Sequence, residues 1–361
     1  MEITRQHDPT DTAFRAYVGC RTTVQRQARG RGLEVFDVTQ SGSWLHRWTT
    51  ATKDNPSYLL LDEVRDVLHC VHGDGTDISS FKVACDGHLT LLSTQSTKGQ
   101  NPVHLALSTN RRWMLVANYA TGSVATLPIQ HDGALGPVAH VLKLPFQPGP
   151  HRTQQRGAHP HQIVLSPCGQ WLLVPDKGGD AVHTLALDEA TGTLRLVASL
   201  SVAPGSGPRH LVFRADGVLV WVVFELSSQV LTTSFDRNTG ALGPLQRSST
   251  LPEDFTGENT GAGIALSRDA CHLFVSNRGH GSVVRYDINP HTGALSSPAW
   301  TRVPGTVPRF ITPFPNSDAL CVANEDTDNL VCITSLFQIE SLTSTGSPVC
   351  VVFAAPSKGT S

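Results

Sequence analysis

Four residues of this sequence, His161, Arg209, Glu225 and Arg278, carry groups that together could act on an anionic ester. An arginine presents a planar fork of donors that grips a carboxylate or phosphate and can hold a developing oxyanion. Histidine and glutamate exchange protons near neutral pH when their surroundings tune them. The chemistry is proton transfer at an ester-like carbonyl, with two cations holding negative charge. Position separates these four from the many other charged residues, and position comes from a repeat.

The frame shows most clearly at residues 208–230. A Pro, once a Gly, heads each copy. A polar or aromatic residue follows sixteen positions later, and a branched apolar one six after that. The triplets are Pro56/His72/Ile78, Pro102/Asn118/Val124, Pro160/Asp176/Val182, Pro208/Phe224/Val230, Gly261/Asn277/Val283 and Pro308/Asn324/Leu330. Each copy reads as four short strands separated by turns such as Asp132-Gly133, Thr191-Gly192 and Thr239-Gly240. A four-stranded unit of about 40–50 residues, repeated, predicts a β-propeller. The segment 347–353 reads as the first strand of a seventh unit, and residues 14–51 supply its other three. The expectation is an all-β, seven-bladed propeller over 13–354, its ring closed by N- and C-terminal strands sharing one blade. Residues 1–12 and 355–361 are expected to be flexible tails. The outer part of the sixth copy, 335–345, is short and lacks a Gly turn, so that blade is expected to be irregular. An insertion at 144–157 is expected to loop over one face.

Equivalent positions in the copies can be compared directly. Just after the head stand Ser57, Val103, His161, Arg209, Ala262 and Arg309; just after the sixteenth position stand Gly73, Tyr119, Lys177, Glu225, Arg278 and Glu325. Scaffold positions should keep one residue type. These two columns vary and are rich in charge, as a site grafted onto a repeat would be. The competing reading is a ring of ion pairs that orders the inner strands. His161, Arg209, Glu225 and Arg278 are the candidate catalytic residues. Tyr119, Lys177, Arg309, Glu325 and the adjacent His159 are candidates for contact with the rest of a substrate. His104 and His210 fall one place further on, and strict alternation predicts that they face away from the channel. The recurring Asn118, Asn277 and Asn324, with Asp176, are expected to be structural. His159 and His161 share a strand face, but no third ligand has a matching spacing, so neither a metal nor another cofactor is expected.

Composition narrows the partners. The chain has 16% charged residues, 31 Gly and 23 Pro, which suits a turn-rich β protein. A net charge of −2 leaves no basic stripe for nucleic acid. There is no apolar run of about 18 residues and no apolar segment at the N-terminus, so neither a membrane span nor a signal peptide is expected. The eight cysteines form no CxxC and read as buried free thiols, which points to the cytoplasm. The absence of GxSxG, Walker and GxGxxG motifs counts against serine hydrolysis and nucleotide binding.

The motifs Ala117-Asn118-Tyr119-x-x-Gly122-Ser123-Val124, His159-Pro160-His161, Gly207-Pro208-Arg209-His210, Glu225-Leu226, Val275-Ser276-Asn277-Arg278-Gly279 and Pro308-Arg309-Phe310 resemble those of the seven-bladed lactonase family. Its members include cycloisomerase-type 6-phosphogluconolactonases and fungal carboxymuconate cyclases. The resemblance spans about residues 14–354. It implies an active site of one His, two Arg and one Glu, which fall on His161, Arg209, Arg278 and Glu225. It further implies a lactonase acting on a small anionic sugar-acid lactone, 6-phosphoglucono-δ-lactone in the oxidative pentose phosphate pathway. The alternatives are cycloisomerisation of a carboxymuconate and a non-catalytic interaction platform. The chain departs from the family at Ser267-Arg268-Asp269-Ala270, where an Asp-Gly turn is usual.

Overall fold

The computed structural model describes residues 12–315 and 317–355. Within them the repeat closes into a ring of seven antiparallel sheets, each of four strands, around a central channel. The strands Pro56–Asp62, Pro102–Leu107, Val164–Leu165, Pro208–Phe213, Gly261–Leu266 and Pro308–Pro313 line the channel as the inner strands of blades 1 to 6. The closing blade runs Pro348–Ala354, Thr12–Cys20, Leu33–Thr39, Trp44–Thr50, so the two ends of the chain share it. Thr12 already pairs with Thr39 and belongs to a strand rather than to a flexible tail. Residues 1–11 and 356–361 lie outside the described residues.

Burial explains the repeated frame. Each blade packs on the next through its own apolar cluster, one for each of the seven interfaces. Trp221, Val223 and Val230 of blade 4, for example, meet Ile264, Val275 and Tyr286 of blade 5. The branched column Ile78, Val124, Val182, Val230, Val283 and Leu330 is buried throughout, and each such side chain stabilises the fold by about 1.5–3 kcal/mol. The Thr-Gly turns also stitch blades together. Gly192 and Gly240 take φ of 76° and 73°, and their carbonyls accept hydrogen bonds at 2.7 Å from Thr126 and Thr184 of the preceding blades.

Two further expectations need correction. Blade 6 is complete: Ile339–Ser344 pairs along Asn329–Ile333, with Phe337 at φ 62° serving the turn that lacks glycine. The irregular blade is the third. Its inner strand is only Val164–Leu165; ahead of it Pro160 makes a lone bridge to Asp176, and the His161 N–H donates to the Pro175 carbonyl at 3.0 Å, which keeps His161 tied to the next strand.

The second correction concerns direction. In blades 1, 2, 4 and 6 the register shifts just after the head, between Pro56/Tyr58, Pro102/His104, Pro208/His210 and Pro308/Phe310. A bulge sets two residues against one and breaks the alternation of side chains. His210 therefore lines the channel beside Arg209 instead of facing away, and His104 packs 6.0 Å from it, ring to ring.

Candidate active site

The same backbone bond fixes the second column in every blade. The N–H groups of Gly73, Tyr119, Lys177, Glu225, Arg278 and Glu325 donate to the carbonyls of Asn55, Asn101, His159, Gly207, Thr260 and Val307, at 2.7 to 3.1 Å. A seventh copy runs from Arg21 to Ser347 at 2.9 Å. Arg21 is thus the closing blade's member of the column, and sequence reasoning missed it. The signal was present: Pro348 heads the closing blade and pairs with Cys20 as Pro308 pairs with Asn324. The sixteen-residue spacing cannot reveal it, because the two strands come from opposite ends of the chain.

Around the channel the column reads Arg21, Gly73, Tyr119, Lys177, Glu225, Arg278, Glu325. Charge alternates from blade 3 to the closing blade and lapses at blades 1 and 2. Glu225 is the hub. Lys177 Nζ and Arg278 Nη2 lie 2.9 and 3.0 Å from its Oε1, and Arg209 Nε lies 3.0 Å from its Oε2. Burial would raise its pKa, but the charges of Arg278, Lys177 and Arg209 outweigh that and hold the carboxyl well below the usual range. Glu325 repeats the pattern more openly, 3.3 Å from Arg309 Nη1 and 3.6 Å from Arg21 Nε.

His161 stands at the centre of this charge without joining it. Its ring packs edge-on to Tyr119 at 5.5 Å and to His210 at 5.1 Å, and Nδ1 has no hydrogen-bond partner among the described residues. Burial, then the charge of Arg209, pushes its pKa well below 6.5, so the imidazole is neutral at neutral pH. Tyr119 stacks on the half-buried His159 at 4.4 Å, and Lys177 lies 5.4 Å over the same tyrosine ring. Lys177 Nζ also donates to Gln154 at 2.7 Å, and Gln155 donates to the Lys177 carbonyl, which seats the 144–157 insertion on the channel rim.

Arg21, Ser57, His161, Arg209, His210 and Arg309 surround a cavity of about 20 Å³, room for about one water. The structure therefore brings together all four candidate catalytic residues. Lys177, Tyr119 and His159 flank them, and Arg309 and Glu325 form a second ion pair across the channel. The asparagines behave as scaffold: Asn118 and Asn277 donate to the carbonyls of Thr97 and Thr250, and Asn324 donates to Asn329. Asp176 caps the turn at Gly178. Among the described residues no three His, Cys, Asp or Glu side chains converge as a metal-ligand set.

A ring of seven four-stranded blades around a channel is the architecture of the seven-bladed β-propeller lactonases. The chain belongs to that family: the model of the seven-bladed β-propeller lactonases matches residues 15–353. The chain is similar to the 6-phosphogluconolactonase of Bacillus subtilis, with 30% identity covering 95% of this chain and 99% of that one. Among solved structures it is similar to the periplasmic gluconolactonase of Pseudomonas aeruginosa, with 30% identity, a TM-score of 0.87 and coverage of 95% and 99%. A Lactobacillus plantarum protein matches at 28% identity, with a TM-score of 0.87 and the same coverage.

Proposed function

We propose that this protein hydrolyses the lactone of a sugar acid, 6-phosphoglucono-δ-lactone in the oxidative pentose phosphate pathway, to the open-chain acid. The observation that carries the reading is His161, its buried Nδ1 without a hydrogen-bond partner among the described residues, on the wall of a water-sized cavity beside cations that Glu225 holds in place. In this reading His161 takes a proton from the attacking water as the water oxygen bonds to the ring carbonyl carbon. Arg209 and Arg278 stabilise the oxyanion of the tetrahedral intermediate. The ester C–O bond then breaks, and the imidazolium returns its proton to the departing ring oxygen. Glu225 sets the cations, because a carboxylate in three ion pairs is a poor base. In the two columns five cations, Arg21, Lys177, Arg209, Arg278 and Arg309, face two carboxylates, Glu225 and Glu325, which supports an anionic substrate. The named activities of the Bacillus and Pseudomonas relatives support lactone hydrolysis. Five buried thiols outside any disulfide, Cys20, Cys70, Cys321, Cys332 and Cys350, support a reducing compartment such as the cytoplasm. No helix among the described residues is long and apolar enough to cross a membrane.

Purified protein is assayed with 6-phosphoglucono-δ-lactone, glucono-δ-lactone and 3-carboxy-cis,cis-muconate. Lactone hydrolysis is expected, and His161→Gln should lower kcat/KM by about 10²- to 10⁴-fold. Turnover of the muconate alone would overturn the hydrolase reading.

A further inference from the structure

We propose that Arg21, Arg309 and Ser57 form a subsite for the phosphate ester of the substrate, across the ring from Glu225; the inference rests on the lactonase reading above. Three observations carry it.

The first is unsatisfied donors. Arg21 is 3% exposed, yet its Nε and Nη1 have no hydrogen-bond partner among the described residues, and Ser57 Oγ beside them has none either. The nearest carboxylates to Arg21, on Glu325 and Asp74, lie at 3.6 and 3.7 Å, beyond hydrogen-bond distance. Buried polar groups are almost always paired, so donors left open on the wall of a cavity mark where a ligand's acceptors belong. An arginine fork matches two phosphate oxygens at once.

The second is charge. Arg21 and Arg309 approach from neighbouring blades, and burial together with Arg309 lowers the Arg21 pKa to about 10, leaving it charged at neutral pH. The two columns carry no acid at blades 1 and 2, only Ser57, Gly73, Val103 and Tyr119, and the one blade-1 carboxylate near Arg21, Asp74, stands 3.7 Å away and is taken up by Arg26. A phosphate dianion seated between Arg21 and Arg309, with the side chains around the water-sized cavity parted to admit it, would relieve the repulsion between the two arginines.

The third is Gly73. A Cβ on it would stand 2.3 Å from Arg21 Nη1 and 2.7 Å from Ser57 Oγ. Its φ is not in the left-handed region, so the glycine makes room for the guanidinium rather than relieving the backbone. On the far side of Gly73 and Asp74 a groove of about 710 Å³ opens, with Arg26 and Lys53 on its walls.

The test compares kcat/KM for 6-phosphoglucono-δ-lactone and for glucono-δ-lactone in the wild type, Arg21→Gln and Gly73→Ala. The ratio favouring the phosphorylated lactone is expected to fall about 10- to 100-fold in both variants, as for loss of a charge-assisted hydrogen bond. A ratio that does not move overturns the subsite while leaving the lactonase reading intact. Should Arg21→Gln fail to fold, Gly73→Ala decides the question, because it keeps the charge and displaces it. Should the wild type hydrolyse neither lactone, the activity reading fails and calorimetry with 6-phosphogluconate and gluconate still judges the subsite. Tighter binding of the phosphorylated acid, lost in the variants, supports it; equal binding of the two overturns it.

Discussion

At the scale of single residues, the channel separates two groups that chemistry alone treats as interchangeable. Both His161 and Glu225 can accept a proton, and their types give no reason to choose between them. Their surroundings do. Three cations fix Glu225 in its charged form, whereas His161 is kept neutral by burial and by Arg209. The two should therefore fail differently. Glu225→Gln keeps the shape but leaves Lys177, Arg209 and Arg278 without their counter-charge, so stability should drop by about 3–5 kcal/mol along with activity. His161→Gln should remove activity and leave the melting midpoint nearly unchanged; paired urea melts and lactonase assays would show this. Because His161 holds its proton only at acid pH, kcat/KM should stay level as pH falls through 6.5, the ordinary histidine value. A wild-type profile that drops by half at that pH would speak against a depressed His161.

At the scale of strands, the repeat made much of the architecture legible before any coordinates. The head prolines, the branched column and the Gly turns report backbone geometry and burial, which act within a single unit. Comparing columns was enough to bring His161, Arg209, Glu225 and Arg278 together, because equivalent positions in a ring converge. Features that depend on contact between units were not legible. The bulge after the head in blades 1, 2, 4 and 6 leaves one trace in the residue types, since Tyr58, His104, His210 and Phe310 are all aromatic and pack ring against ring, but strict alternation alone put His104 and His210 on the wrong side. Arg21 stayed hidden because its blade is assembled from both ends of the chain. The bulge has a functional consequence: His210 is a wall of the cavity rather than part of an inter-blade core. His210→Phe should block a space of about 20 Å³ and lower kcat/KM by about tenfold or more while the protein keeps its melting midpoint. Had His210 packed between blades, the same change would lower stability and spare activity, so measuring both quantities on one variant separates the two placements.

At the scale of the whole molecule, the ring makes histidine protonation a stability variable. Inward-turned strand starts and closely packed blades bury His69, His104, His161 and His210 in places where a charged imidazole is disfavoured, chiefly by burial. The pKa values of His69 and His104 fall to about 4 and about 3, and those of His161 and His210 fall well below 6.5. The unfolded chain titrates these groups near 6.5. Between that value and the folded ones it therefore binds more protons than the native state, and stability must fall as pH falls. Each such histidine costs about 1.4 kcal/mol per pH unit across its window. In the channel the effect is compounded, because His104, His161 and His210 would repel one another and Arg209 once charged. The stabilisation is thus complete above about pH 6.5 and is lost progressively as pH falls towards the folded values, about 4 for His69 and about 3 for His104. Urea midpoints should hold constant from about pH 8 to about pH 7 and then decline steeply. His104→Leu, which removes one buried proton acceptor outright, should flatten that decline by one histidine's share. An equally steep decline in His104→Leu would mean that His104 titrates normally in the folded ring and that acid lability arises elsewhere.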